Sequence, residues 1–180
     1  MAGKLFVVGT PMGNLTDFSP RAVETLSAVD FIAAEDTRVS MKLLSHFGIK
    51  KELVSYYEHN KRARGGEIIS RIEAGENCAI ITDAGMPAIS DPGEELVKTA
   101  HECGITVESV PGPAACVTAL AISGMPSGRF CFEGFLSVSK QSRRQHLEEI
   151  KNESANTDSE KAYNSKMAYI CKLVIDGVRI

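Results

Sequence analysis

Cys78-Ala-Ile-Ile-Thr-Asp-Ala-Gly-Met-Pro-Ala-Ile-Ser-Asp-Pro-Gly93 decides the fold. Its opening run, Cys78 to Thr82, is apolar at successive positions, as in a strand covered on both faces at the centre of a parallel sheet. A loop rich in glycine and proline follows. Asp91-Pro-Gly-Glu94 then has the residues of a helix start, with an acceptor before the helix and proline at its first position. Gly104 ends that helix.

Outward from this stretch the same unit recurs. Toward the N-terminus, Leu5 to Val8 predicts a buried strand, and the loop Gly9-Thr-Pro-Met-Gly-Asn-Leu15 follows it. Ser19 and Pro20 open a helix to about Val29. Phe31 to Ala34 is a second strand, and Thr37 caps a helix that Gly48 stops. Leu53 to Tyr57 is a third strand, with Asn60 placed to cap a helix ending near Gly75. Toward the C-terminus, Thr106 to Val110 is a fifth strand, leading to a helix over Ala114 to Ser123 closed by Gly124. Strands that alternate with helices are joined by crossovers, which makes the sheet parallel. The expected fold class is therefore α/β: a five-stranded, mostly parallel sheet with helices on both faces, over residues 1–125.

Beyond it the rhythm changes. Arg129 to Leu136 predicts a strand entering a second domain, and Ser139 to Ile150 a basic helix, so residues 126–150 begin that domain. Residues 151–180 form an atypical tail. Lys151 to Lys166 is polar, lacks apolar periodicity and predicts loop or disorder, while Leu173 to Ile180 has the composition of a strand.

The 180 residues are 43% hydrophobic and 24% charged, with a formal net charge of -3. That balance suits a globular chain and argues against a sequence-independent nucleic-acid coat, which carries a large positive excess. No run approaches the length of a membrane span, and the apolar N-terminal run is too short for a signal-peptide core. Cys78, Cys103, Cys116, Cys131 and Cys171 lack C-x-x-C spacing and fall in apolar contexts, so buried thiols in a reducing cytoplasm are expected.

Ligands of an open parallel sheet bind beyond the carboxyl ends of its strands. The segments at those ends are Gly9 to Gly13, Glu35 to Arg38, Glu58 to Asn60, Asp83 to Gly93 and Pro111 to Ala115. They gather glycines that permit close approach, prolines that fix loop shape, and charge. Ordinary tight turns account for any single loop more simply than for the set. The dinucleotide fingerprint, the P-loop, the G-x-S-x-G elbow and the H-E-x-x-H motif are all missing. His46, His59, His101 and His146 are scattered, no metal-ligand set is formed, and only His59 sits on the loop edge. Lys61, Arg62 and Arg64 form one basic cluster and Lys140, Arg143 and Arg144 another, each of which also reads as a solvated helix face.

Val8 to Leu15, Ala34 to Arg38, Ser55 to Asn60, Asp83 to Gly93, Pro111 to Ala115 and the Phe132-to-Leu136 and Lys140-to-Leu147 segments together resemble the tetrapyrrole-methylase-like (class III) methyltransferases. Within that family they look most like the branch that 2′-O-methylates a cytidine ribose in the decoding region of bacterial small-subunit ribosomal RNA. The resemblance implies a two-domain fold with S-adenosyl-L-methionine in the cleft. Carried over, its cofactor contacts are Pro11, Asp83, Ala84, Gly85, Met86, Pro87, Ile89, Ser90, Pro111, Gly112 and Ala115. It also implies ribosomal RNA or the small ribosomal subunit as partner, the cytoplasm as location, and a homodimer as the family's habit.

Methyl transfer to a hydroxyl needs alignment and a base near the reacting oxygen. Catalytic candidates are Glu35, Asp36, Arg38, Glu58 and His59, with no choice of base among them. Arg38, Asn60, Lys61, Arg62, Arg64, Lys140, Arg143 and Arg144 are candidate RNA contacts, although Asp36 and Arg38 also make a plausible plain ion pair. Family members carry a Glu-(Ala/Ser)-Pro-His stretch after the basic helix that is missing from this sequence. The expectation is thus an incomplete second domain in a shortened chain of impaired activity. Two other readings stay open: a methylase of a tetrapyrrole precursor, and a non-catalytic fragment that binds cofactor or RNA.

Overall fold

The computed structural model describes residues 2–125, 127–128 and 130–154, for 151–154 the backbone alone. The expectations for residues 155–166, for Leu173 to Ile180 and for Cys171 lie outside the described residues. Within them run β1 (Lys4–Val8), α1 (Pro20–Ala28), β2 (Phe31–Ala34), α2 (Thr37–His46), β3 (Glu52–Ser55), α3 (Lys61–Glu73), β4 (Cys78–Ile81), α4 (Gly93–Glu102), β5 (Thr106–Val110), α5 (Ala115–Ile122) and α6 (Lys140–Ser154). The chain divides into two compact units after Ala114.

The first unit is a five-stranded parallel sheet in the order β3-β2-β4-β1-β5. Its pleat sorts alternate residues into two apolar layers. Leu5, Val7, Phe31, Ala33, Val54 and Ile80 pack with Ile68, Ile69 and Ile72 of α3 and Leu96 and Ala100 of α4. Val8, Ile32, Ala34, Ala79 and Ile81 pack on the other face with Ala22 and Leu26 of α1 and Leu44 of α2. All four residues of β2 and of β4 are buried, as the unbroken apolar run of β4 requires. Each large side chain so placed contributes about 1.5–3 kcal/mol relative to exposure.

Helix starts differ from expectation in instructive ways. Ser19 caps α1 as its type predicts, accepting the Ala22 amide. At α2 the cap is Asp36, which accepts the Arg38 amide, and Thr37 is already helical; both types can cap, and the carboxylate holds the position. Asn60 precedes α3 but makes no capping bond. Its side chain is spent on the preceding turn, where Oδ1 accepts from Tyr57 N–H at 2.8 Å and Nδ2 donates to the Ser55 carbonyl at 3.0 Å. Helix α4 begins at Gly93 rather than at Pro92.

In the second unit, Phe130 to Leu136 forms no strand, contrary to the strand expected there from the sequence. A strand needs a ladder partner, and among the described residues none pairs with this segment. Phe130, Phe132 and Phe135 are exposed. Helix α6 continues past Ile150 to Ser154, and the His146 ring lies 3.5 Å from the Glu133 carboxylate. Cys78 is buried and Cys116 half-buried, but Cys103 and Cys131 are exposed. Cys103 closes the end of α4, and Cys131 lies in the irregular segment, so the apolar residues beside them in sequence do not cover them.

Candidate functional site

Strands β1 and β4 are neighbours, yet the chain leaves them toward opposite faces. The loop after β1 leads to α1 in one apolar layer, and the loop after β4 leads to α4 in the other. That reversal opens a crevice at the carboxyl edge, the general ligand position in open α/β sheets. The two loops are zipped together across it. Thr10 N–H donates to the Gly85 carbonyl at 2.9 Å, and Gly85 N–H returns a bond to Thr10 at 3.1 Å. The fully buried Thr10 hydroxyl is shared between the carbonyls of Thr82, at 3.0 Å, and Gly85, at 3.3 Å.

The turn after β5 joins the same cluster. A Cβ on Gly9 would stand 2.6 Å from Gly112 Cα and 2.8 Å from Met86 Sδ, so only glycine lets these three loops meet. Gly112 N–H donates to that Met86 sulfur at 3.3 Å. Gly85, at φ +92°, turns beneath the Met12 side chain. Pro11 and Pro87 are buried and stiffen their loops, while Asp83, Ala84, Ile89, Ser90 and Pro111 face solvent. Of the expected cofactor contacts, all but Ala115, which falls in the second unit, belong to these three converging loops.

The loop after β2 adds charge. Thr82 Oγ1 donates to Glu35 Oε2 at 2.6 Å, and Asp36 N–H donates to Asp83 Oδ1 at 3.3 Å. Partial burial, reinforced by the nearby Glu35 carboxylate, raises the Asp83 pKa above the ordinary carboxylate value. Asp36 moves the other way, held at about 2 by hydrogen bonds from Arg38, whose guanidinium reaches it at 2.7 Å and 3.1 Å. The plain ion pair that the sequence allows is therefore formed, and it makes Asp36 a poor base.

The basic candidates are less available than the sequence suggests. Lys61 bridges Glu58, at 2.8 Å, and Glu95 of α4, at 3.2 Å; both carboxylates raise its pKa, Glu58 the more. Arg64 pairs with Glu67 one turn along α3. Arg62 is exposed and has no ion-pair partner among the described residues. His59 is exposed, its ring edge-on to Tyr57 at 6.2 Å. In the second unit Lys140 and Arg144 are exposed along α6 and Arg143 is half-buried.

Thr10, Thr82, Tyr56 and the loop role of Asp91 escape a reading of the sequence. Thr10 lies between two residues of evident purpose, Gly9 and Pro11, and only the pairing of β1 with β4 gives its hydroxyl work. Tyr56 is buried, its hydroxyl without a hydrogen-bond partner, and burial with the nearby Glu95 charge pushes its pKa up to about 12. It lines a small pocket with Glu35, Thr82, Pro87 and Asp91.

A family model described as Tetrapyrrole (Corrin/Porphyrin) Methylases matches residues 4–172. The chain is 52% identical over 152 residues to a Pseudomonas aeruginosa protein named Ribosomal RNA small subunit methyltransferase I, covering 84% of this chain and 54% of that one. A protein of the same name from Thermotoga maritima is 50% identical, with 84% of this chain and 68% of the relative covered. The chain thus spans about half the length of most curated relatives it matches. A crystal structure of uroporphyrin-III-C-methyltransferase from Thermus thermophilus superposes with a TM-score of 0.52 at 24% identity, over 71% of this chain and 54% of that one, and shows the shared fold.

Proposed function

We propose, since the chain belongs to the tetrapyrrole (corrin/porphyrin) methylase family, that its carboxyl-edge crevice binds S-adenosyl-L-methionine for 2′-O-methylation of a ribose in small-subunit ribosomal RNA. The observation that carries this reading is the meeting of the β1, β4 and β5 loops around Gly9, Gly85 and Gly112. The names of the relatives support the RNA substrate; a cytidine of the decoding region follows from the resemblance of the loops. On the same footing, residues 1–125 are the cofactor-binding domain and 126–150 the start of a second. The cytoplasm is the place of action, and no helix among the described residues is long and apolar enough to cross a membrane.

The residues fit the cofactor. Backbone bared by glycine accepts a ligand at close range, Met12, Met86 and Ile89 offer apolar contact to an adenine, and Glu35 and Asp83 supply negative charge for a sulfonium. Bound there, S-adenosyl-L-methionine supplies an electrophilic methyl group on a positively charged sulfur. Pro11, Asp83, Ala84, Gly85, Met86, Pro87, Ile89, Ser90, Pro111, Gly112 and Ala115 hold it. The loops' task is to keep donor and hydroxyl in line, the positioning that supplies much of such a reaction's acceleration.

The hydroxyl proton goes to a carboxylate or imidazole on the same edge. Glu35 and His59 are the stronger candidates, because Arg38 depresses Asp36 and Lys61 engages Glu58. Arg38, Asn60, Lys61, Arg62 and Arg64, with Lys140, Arg143 and Arg144 of α6, are the proposed phosphate and ribose contacts.

Calorimetric titration of S-adenosyl-L-methionine into the chain tests the cofactor half. Labelled methyl transfer to undermethylated small ribosomal subunits, with a full-length relative as control, tests the rest. Saturable binding by this chain is expected, with transfer by the full-length relative; no heat at millimolar ligand sinks the site. Binding without transfer favours a cofactor-binding unit that needs more chain to act, a reading supported by the half-length match to relatives.

A further inference from the structure

The loop between β4 and α4 holds two non-glycine residues in the left-handed region, Ala88 at φ 64° and Ser90 at φ 62°. Side chains disfavour this backbone, and it persists only where the surroundings impose it. One atom supplies much of the constraint. Asp91 Oδ1 accepts from Ala88 N–H at 2.9 Å and from Gly93 N–H at 2.8 Å. The Gly93 bond serves the start of α4. The Ala88 bond serves no helix: that amide precedes the carboxylate in the chain, inside the loop.

The fit around this oxygen is tight. A Cβ on Gly93 would stand 2.9 Å from it, 3.0 Å from Ala88 N and 3.1 Å from Ile80 Cδ1. Asp91 itself is half-buried. Between the two left-handed residues Ile89 is turned outward, 51% exposed although apolar. Backbone held in this region clusters at ligand clamps, where the strain is part of the mechanism, and here it carries Ile89 on an exposed turn.

We propose that Asp91 is a positioning residue. Its carboxylate clamps the Ala88–Ser90 turn and so holds Ile89 where it packs against the adenosine portion of the cofactor, an inference that rests on the cofactor reading above. Asp91→Asn keeps an Oδ1 acceptor for both amides; Asp91→Ala removes it. S-adenosylhomocysteine, the demethylated cofactor, is titrated into the wild-type chain and both variants, with melting temperatures and amide hydrogen exchange read alongside.

Asp91→Ala is expected to weaken binding by about tenfold or more, and Asp91→Asn by less than about threefold, since the asparagine restores the bonds. Exchange at Ala88 and Gly93 quickens in Asp91→Ala and not in Asp91→Asn, while the amides of β4 keep their protection. If Asp91→Ala does not fold, Asp91→Ser, whose shorter side chain cannot span both amides, replaces it under the same expectation. Wild-type affinity in the alanine or serine variant overturns the proposal, as does an asparagine variant as weak as alanine. No binding by the wild-type chain overturns the cofactor reading itself, and the proposal with it.

Discussion

Glycine has opposite consequences at two positions of this chain. At Gly9 an added methyl meets the backbone of Gly112 at 2.6 Å and 2.8 Å, atoms that cannot swing aside. Gly9→Ala should therefore cost about 1–3 kcal/mol, the usual range for overpacking, and should weaken cofactor binding by parting the β1 and β5 loops. At Gly66, inside α3, nothing lies within 4 Å of the added methyl. Gly66→Ala should stabilise by about 0.5–1 kcal/mol, because alanine loses less conformational freedom in a helix. Urea denaturation of the two variants checks both signs. Tyr56 makes a complementary case: its buried hydroxyl has no partner, so Tyr56→Phe should leave stability unchanged or raise it by up to about 1 kcal/mol. A clear loss would mean that a bound water in the adjoining pocket satisfies the hydroxyl. Gly9 announces itself in the sequence, but its partner does not. The proximity of Gly9 to Gly112 arises from the order β4-β1-β5, which no local pattern contains.

Elements show why some of this structure is legible and some is not. Strands β2 and β4 are readable because complete burial leaves an unbroken apolar run. Helix ends are less so, because adjacent residues of capping type compete and tertiary contacts decide. At α2 Asp36 prevails over Thr37; at α3 Asn60 is drawn to Ser55 and Tyr57 instead. Phe130 to Leu136 misleads because its aromatic and apolar residues have the composition of a strand, while a strand forms only where a ladder partner is present. The Asp36 cap carries its own pH signature. Its pKa falls from 3.8 to about 2 on folding, so its stabilising effect is complete above the unfolded value and is lost as pH drops through the folded one. The melting-temperature difference between wild type and Asp36→Asn should therefore shrink between about pH 4 and pH 2, and the pair's exposure and salt screening keep it small. A gap that is constant with pH would show that the Arg38 bonds do not bias the carboxylate in solution.

Across the whole sheet, stability and ligand binding are assigned to opposite ends of the strands. At the amino end the Arg71 guanidinium lies 3.7 Å over the Phe31 ring and is paired with Glu52 at 2.9 Å and Glu76 at 2.6 Å, its side chain only 24% exposed. It thereby ties α3 to the starts of β2 and β3 and to the turn before β4. Cation–π attraction is worth about 0.5–1 kcal/mol at such a site, and a shared, partly buried guanidinium exceeds an ordinary surface pair because it is bidentate to each carboxylate. Arg71→Leu removes all of this and leaves Glu52 and Glu76 facing each other without a cation. A loss of about 1–3 kcal/mol is expected on those grounds. The crevice loops, at the far ends of the same strands, contact none of these groups. Cofactor affinity measured well below the melting temperature should then match wild type in Arg71→Leu, whereas Gly9→Ala should lower affinity and stability together. Calorimetric titration beside thermal melting separates the two patterns. If Arg71→Leu weakened binding as Gly9→Ala does, the sheet would transmit strain from one edge to the other, and the crevice could not be treated as a site carried on an independent scaffold.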